Sequence, residues 1–586
     1  MNKINKIWAL WPEFLILLLC SVFLMFGIAA KKGYHGDEML SFELANAQFN
    51  PWIVPTQPQG RLAKFVEQEI QEDTLFGTIS NLWDTAADLA KNRGNSKLLT
   101  YVADVYPEPV WIDREAFVKY ATVDKKDCFN YLSVYFNVKD DNHPPLFFMA
   151  LHTVSSLFQN HMNVWMGCCL NLLFVLGTMG ILMVLGRQCM TVAGFSMQGR
   201  MVGVGAAFIY GLSAGALSTV LLIRMYAMLS FFCVLLLAIH LRKLYHEELG
   251  TAGFERNNKG LILTTVLGFW TQYFFLFYCL PLAAITAISL WKKGRKKELI
   301  RYVISMITAA AIGLVIFPFA ISDVFSSGRG VEALANLSAG LSGYGERVGS
   351  FLFILGMGCG MICILCLLLI WMSNGIRKKN ERENLRKNRE LNFVLLIPVV
   401  IYFFLAARMS PYMVDRYIMP LFPLVILVLC VGAGRCLAGW FMAKEPKQLR
   451  KVLILSFGLL ACSQLLMPGH GDNAYLYPEY ETQLDVAEEY RDLPCICISQ
   501  GYEYYQDLPE FMQYDKTLLL TLEQLKSRQE TTSITQSDKT VVLVKGNRHL
   551  QEVVVAMERF DFYPEKTIFS SNLNGGDVVL LFKRLD

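Results

Sequence analysis

Residues 11–30 read WPEFLILLLCSVFLMFGIAA, twenty residues with one carboxylate and no cation. As a helix this run is long enough to cross about 30 Å of hydrocarbon. Lys3 and Lys6 precede it, so a secretory leader is the competing reading. The run is long for a leader, however, and Gly27 to Ala30 make a weak cleavage site, so an uncleaved first span is expected. Similar apolar runs recur at 164–186, 351–371 and 418–433. Inside lipid each must be helical, because nothing else there satisfies the backbone. The whole chain follows suit: 586 residues, 54% hydrophobic, 13% aromatic, with a mean hydropathy of +0.36. That is more apolar than a water-soluble protein of this size needs.

The net charge of +4 becomes informative once divided by loop. Segment 292–301 (KKGRKKELIR) holds six Lys or Arg, 377–390 (RKKNERENLRKNRE) seven, and 444–451 (KEPKQLRK) four. Short basic loops belong on the cytoplasmic side. From these anchors 302–322 is expected to run outward, 351–371 inward, 391–407 outward, 418–433 inward and 452–467 outward. Loops 323–350 and 408–417, and everything after 468, are then extracytoplasmic. Between 143 and 291 the parity is satisfied if the basic loops 187–200 and 242–260 are also cytoplasmic. In that version 145–186 supplies one crossing and 261–291 two short ones.

The long loop at 31–142 is different, with 17 acidic against 12 basic residues, a net of −5. Within it Leu62, Phe65, Val66, Ile70 and Leu75 recur at helical spacing, which predicts short amphipathic helices at the membrane surface. The expected domains are a membrane body over 1–467, including this loop, and an α/β tail over 468–586. In the tail, strand-like runs at 495–499, 517–522, 541–545 and 577–583 alternate with polar helical stretches such as 549–560. Asn574-Gly575-Gly576 reads as a hairpin turn. The fifteen cysteines fall mostly in apolar runs and read as small hydrophobes. Cys495 and Cys497 are expected to point to opposite faces of their strand and so not to bridge.

Polar residues at the edges of the apolar runs are the candidates for chemistry. Asp37 and Glu38 follow the first span directly, within YHGDE. One of the pair would suit a general base, the other would orient it or bind a cation; solvated loop carboxylates are the plainer reading. Asp141 and His143, in DDNHPP, close the same loop, where they are also compatible with a simple capped helix entry. Arg224 with Tyr226 (RMY), and Arg416 with Tyr417 (DRYIMP), adjoin apolar spans. A lone boundary arginine is usually an anchor, but two of them near carboxylates suit phosphate recognition. Acid groups, phosphate-binding arginines and bilayer together suggest a lipid-phosphate substrate such as a polyprenyl-phosphate sugar.

In order and spacing these elements resemble the GT-C membrane glycosyltransferases of the protein O-mannosyltransferase and aminoarabinose transferase type, glycosyltransferase family 39 and its bacterial relatives. The match covers roughly residues 8–440. The acidic pair matches Asp37-Glu38, the D-x-H-P-P-L element matches Asp141 to Leu146, R-x-Y matches Arg224 to Tyr226, and R-Y-x-x-P matches Arg416 to Pro420. A T-H-Y-like element occurs as Thr271-Gln272-Tyr273, with glutamine in place of histidine.

The resemblance implies an α-helical polytopic membrane protein of the GT-C fold, with about 11–13 transmembrane helices, a long first extracytoplasmic loop and a small C-terminal α/β extracytoplasmic domain. It also implies an inverting transfer from a polyprenyl-phosphate monosaccharide donor at the outer face of the cytoplasmic membrane. Asp37 would be the base, assisted by Glu38. Asp141, His143, Arg224, Tyr226, Tyr273, Arg416 and Tyr417 would bind substrate. The acceptor stays open among protein, lipid and cell-envelope glycan, and a divalent cation at Asp37, Glu38, Asp141 and His143 stays open too. Membrane lipid is an expected partner and nucleic acid is not. The rival readings are a lipid-linked glycan flippase or transporter, and a glycan polymerase using a lipid-diphosphate donor.

Overall fold

The computed structural model describes residues 10–57, 61–72, 74–92, 95–101, 106–325, 328–338, 340, 342–372, 382–441, 446–465, 475–501, 504–528, 537–570 and 576–585. Residues 377–381 and 444–445 of the basic loops, and 468–474 of the tail, lie outside these. The chain divides into two compact units. One, a helical body, comprises Met1–Lys31, Val138–Phe147 and Val164–Leu476; the other, an α/β unit, comprises Lys32–Asn137, Phe148–Asn163 and Tyr477–Asp586. The long loop therefore groups with the tail and not with the membrane body in which the sequence reading placed it.

In the helical body, seven described helices are long and apolar enough to span a bilayer, beginning with Trp11–Ala30 and ending with Leu421–Gly439. Two bent pairs raise the number to nine, Ser196–Gly211 with Ala214–Leu221 being one, bent by 59°. Among the described residues, Lys259–Thr271 and Pro446–Gln464, which fall short on length or charge, would bring the number to the lower end of the expected 11–13. Between 145 and 192 one helix of spanning length occurs, Val164–Val192, and 259–292 is broken into two helices, of which Phe275–Lys292 has spanning length. Small residues let the helices approach closely. A Cβ on Gly203 would fall 2.4 Å from the Met183 carbonyl oxygen, and one on Gly211 would fall 2.6 Å from Cys20 Sγ.

The charged residues sort to the two ends of the body. At one end Glu13 accepts hydrogen bonds from Arg187 and, at 2.8 and 2.7 Å, from Arg200. Arg295 reaches Glu247 at 2.8 Å and Lys293 reaches Glu390 at 2.9 Å, so the loops 242–260 and 292–301 share an end with the start of helix Arg382–Met409. At the far end of helix Trp11–Ala30, about 27 Å away at 1.5 Å per residue, Lys31 donates to the Tyr475 carbonyl at 2.7 Å. Tyr475 in turn bonds Asp415. The 408–417 loop thus lies opposite the 187–200 loop, the arrangement that the loop charges call for.

The α/β unit is built on a six-stranded sheet: β1 (Trp111–Asp113), β2 (Cys495–Ile498), β3 (Lys516–Leu520), β4 (Lys539–Val544), β5 (Phe562–Ser570) and β6 (Val578–Arg584), in the order β1-β3-β2-β4-β6-β5. Strands β3, β2 and β4 are parallel and the outer ones antiparallel. The central strands read CICI, TLLL and VVLV because both of their faces are covered. One face packs Ile496, Leu518, Val542 and Leu580 against Val553 and Met557 of helix Leu550–Glu558. β1 comes from the long loop and completes the tail's sheet. Asn574 and Gly575, expected as a turn, lie outside the described residues, although β5 and β6 do pair antiparallel. All fifteen cysteines are free. Cys495 and Cys497 are unbridged for another reason than expected: two residues apart, they share a strand face about 6.6 Å apart, near the upper limit for a disulfide.

In the loop, Phe65, Val66 and Ile70 form a small core with Leu82 and Leu98. Leu75 joins Phe76, Ile79 and Trp83 on the exposed apolar face of the amphipathic helix Leu75–Asn92.

The other face of the sheet buries charge. Lys545 bridges Asp507 and Asp577 at 2.7 and 2.8 Å, and Glu510 lies beside them with both carboxylate oxygens unpartnered. Burial first, and then the charge of Asp507, push the Glu510 carboxyl up to about 8. A buried acid held neutral in the folded state stabilises it fully below the ordinary glutamate value, and the gain is lost as pH rises through the folded value. The α/β unit is accordingly expected to melt at progressively lower temperature from about pH 5 to 8. Glu510→Gln should flatten that slope in calorimetry or circular-dichroism melts; an unchanged slope would assign the titration elsewhere.

Candidate functional site

Asp141 and His143 sit in the turn between the short helix Val138–Asp140 and helix Leu146–Leu157. Two prolines between the turn and the helix fix the entry. His143 Nδ1 lies 2.9 Å from Asp141 Oδ2, and Arg224 Nη2 lies 3.5 Å from His143 Nε2. All three side chains are largely buried. Burial opposes ionisation of Asp141, but His143 and Arg224 outweigh it and hold the carboxyl below its ordinary range.

Arg224 occupies the break between helices Ala214–Leu221 and Tyr226–Leu244, where the chain leaves helical geometry for four residues, 222–225. Breaks of this kind put side chains at span ends without loss of backbone pairing along the spans. The second arginine element lies in the turn Asp415–Ile418 between helices Arg382–Met409 and Leu421–Phe441. Arg416 stacks over the Tyr417 ring at 5.3 Å. The Tyr417 ring meets Tyr226 edge-on at 6.4 Å and Phe274 at 5.6 Å. Elements some 190 residues apart in sequence therefore share one aromatic cluster.

Tyr273 is placed next to that cluster but its hydroxyl donates to Asp323 Oδ2 at 2.5 Å. Gln272, in the position where histidine was expected, accepts from the Phe274 backbone N–H at 3.2 Å, within the turn that precedes helix Phe275–Lys292. Three side chains at this end escaped the sequence reading. Asp415 is buried and bonded to Tyr475 at 2.5 Å; burial pushes its carboxyl up against the opposing pull of Tyr475, Ser218 and Arg416. Asp323 holds Tyr273. Lys31 is 3% exposed, and its one sequence signal was a cation directly after an outward-running span, against the loop-charge rule.

Asp37 and Glu38 belong to the α/β unit, in the first turn of helix Gly36–Asn46, and they diverge. Glu38 is fully buried and its Oε2 accepts the His35 backbone N–H at 2.7 Å, while His35 Nδ1 accepts the Asp37 N–H at 3.1 Å. This is a reciprocal capping box with histidine as the cap. Glu38 thus takes part in the helix cap, whereas Asp37 remains about a quarter exposed, 3.6 Å from His35 Nδ1. The tail buttresses this segment. Lys32 pairs with Glu481 at 2.8 Å, and a Cβ on Gly33 would fall 2.3 Å from that of Tyr480. Among the described residues no group of three or more His, Cys, Asp or Glu is arranged to hold a metal ion; Asp141 and His143 bond each other instead.

No family model and no curated protein matches the sequence. Among solved structures the chain is similar to ArnT from Cupriavidus metallidurans bound to undecaprenyl phosphate, at 12% identity and a TM-score of 0.46, over 75% of this chain and 88% of that one. It is similar to apo ArnT from the same organism at 12% identity and 0.45, over 75% and 87%. A likeness this distant carries nothing about activity or substrate. The residues themselves must do so.

Proposed function

We propose that this chain is an inverting glycosyltransferase that moves a monosaccharide from a polyprenyl-phosphate donor to an acceptor on the outer face of the cytoplasmic membrane. The observation that supports it best is the pair of arginine elements, Arg224-Met225-Tyr226 and Arg416-Tyr417, gathered at breaks in apolar helices by the Tyr226–Tyr417 contact. A guanidinium fork suits the oxygens of a phosphate, and a lipid phosphate is an anion delivered by the membrane itself. Departure of the phosphate leaves charge that Arg224 and Arg416 would stabilise, while Asp37 takes the proton of the acceptor hydroxyl or amine. His143 and Asp141 hold Arg224 in place. Glu38 keeps its part by fixing the helix that carries Asp37.

The test is direct: protein purified in detergent, given a polyprenyl-phosphate hexose and a mixture of envelope acceptors, should release polyprenyl phosphate and label an acceptor. Passage of intact lipid-linked sugar across proteoliposomes without release would replace this reading by a flippase.

A further inference from the structure

The α/β unit contains a cleft of about 500 Å³ that none of the assigned residues line. That size suits a small ligand, such clefts running to about 300–1,000 Å³. Its walls come from three parts of the chain: Glu43 of helix Gly36–Asn46, the extended segment at Trp52 and Thr56, and Tyr504, Tyr505 and Gln524 of the tail. The extended wall is held at fixed points. Tyr106 and Val110 N–H donate to the carbonyls of Thr56 and Pro55 at 2.9 and 3.1 Å, and Asn50 Nδ2 donates to that of Trp52 at 3.3 Å.

Glu43 is the unexplained member. It is 1% exposed, and its Oε1 is buried with no hydrogen-bond partner. Burial raises its carboxyl well above the ordinary range. A buried carboxyl oxygen without a partner costs stability, so it persists where something else uses it. A neutral carboxyl both donates and accepts, as a sugar hydroxyl does. The other groups fit the same ligand. Trp52 is 41% exposed and offers a broad apolar face. Gln524 has its carbonyl oxygen held by the Thr521 N–H at 2.9 Å, which leaves the amide NH2 to donate.

We propose that this cleft is a saccharide site that seats one neutral sugar ring, hydroxyls toward Glu43 and Gln524 and apolar face against Trp52 or Tyr505. That the sugar belongs to the acceptor glycan rests on the transferase reading above; the sugar site itself rests on the cleft. Glu43 lies six residues beyond Asp37 on the same helix, about 9 Å along its axis, so a ring bound here would belong to the same glycan as a hydroxyl presented to Asp37.

The experiment uses the full chain in a detergent without a sugar headgroup. Saturation-transfer NMR is recorded with methyl glycosides of glucose, galactose, mannose and arabinose. At least one is expected to bind, about tenfold more weakly in Glu43→Leu and in Trp52→Ala, and within about threefold of the parent in Glu43→Gln. Because leucine removes the cost of the buried carboxyl, Glu43→Leu should melt no lower than the parent, which a merely structural glutamate would not allow. No binding by the parent, or equal binding by Glu43→Leu and Trp52→Ala, overturns the site. Saccharide binding without polyprenyl-phosphate release keeps the site and removes the transferase. Turnover with an acceptor KM unmoved in Glu43→Leu does the reverse.

Discussion

Asp37→Asn is expected to lower release of polyprenyl phosphate by about 10²–10⁴-fold, the range that a positioned general base supplies. The change is nearly isosteric, and the helix that carries Asp37 keeps its cap. Its cap is made by His35 and Glu38, whose bonds involve the Asp37 backbone and not its side chain. The variant should therefore melt with the parent and bind donor with unchanged affinity, so that the loss falls on kcat. Glu38→Gln supplies the contrast. An amide oxygen can still accept the His35 N–H, so stability should fall by no more than the 0.5–2 kcal/mol or so of a lost cap, and turnover should fall far less than in Asp37→Asn. If Asp37→Asn turns over as fast as the parent, the base is elsewhere. If Glu38→Gln is the more damaging, the two carboxylates have been assigned the wrong way round.

The difference between these neighbours shows where sequence is a good guide and where it stops. Apolar length and basic loops foretold the helical body and which loops share an end, because both are set by interactions with solvent and lipid that need no knowledge of partners. The motifs at 141–143, 224–226 and 416–417 were legible for the same reason: charge beside an apolar run is expensive wherever it falls. What a side chain does with its partner was not legible. Glu38 reads like Asp37 until its oxygen is seen on the His35 N–H. Tyr273 gives no sign in the sequence that its hydroxyl donates a hydrogen bond to Asp323, fifty residues on.

Strands divide along similar lines. β2, β3 and β4 were visible as continuous apolar runs, since both faces are buried. β1 has three residues, too few for any period to show, and takes its meaning only from Leu518 and its neighbours some 400 residues later. β5 reads FYPEKTIFS, with a proline and mostly exposed side chains, which is what an edge strand tolerates and a central one does not. The grouping of the long loop with the tail was hidden for the same cause. Pairing between Trp111 and the tail, like the contact of Gly33 with Tyr480, is a long-range fact that neither segment announces.

Arg224→Ala is expected to weaken donor turnover by about 10–150-fold, the equivalent of one charge-assisted hydrogen bond of about 1.5–3 kcal/mol to phosphate. The effect should not stop at the phosphate. Arg224 and the His143 hydrogen bond both hold the Asp141 carboxyl down, so loss of Arg224 raises it and loosens His143. Arg224→Lys keeps the charge but not the fork, and should recover the Asp141 effect while leaving most of the turnover deficit. This variant also covers the case in which the buried alanine fails to fold. Arg416→Ala removes a guanidinium stacked on Tyr417, and should cost a comparable factor. Because Tyr417 touches Tyr226, next but one to Arg224, the two losses are expected to be non-additive. In a double-mutant cycle on kcat/KM the coupling should exceed about 0.5 kcal/mol, the level reached by residues in one network and not by distant ones. Strict additivity would mean that the arginines hold different groups, and with that the shared phosphate site would be lost.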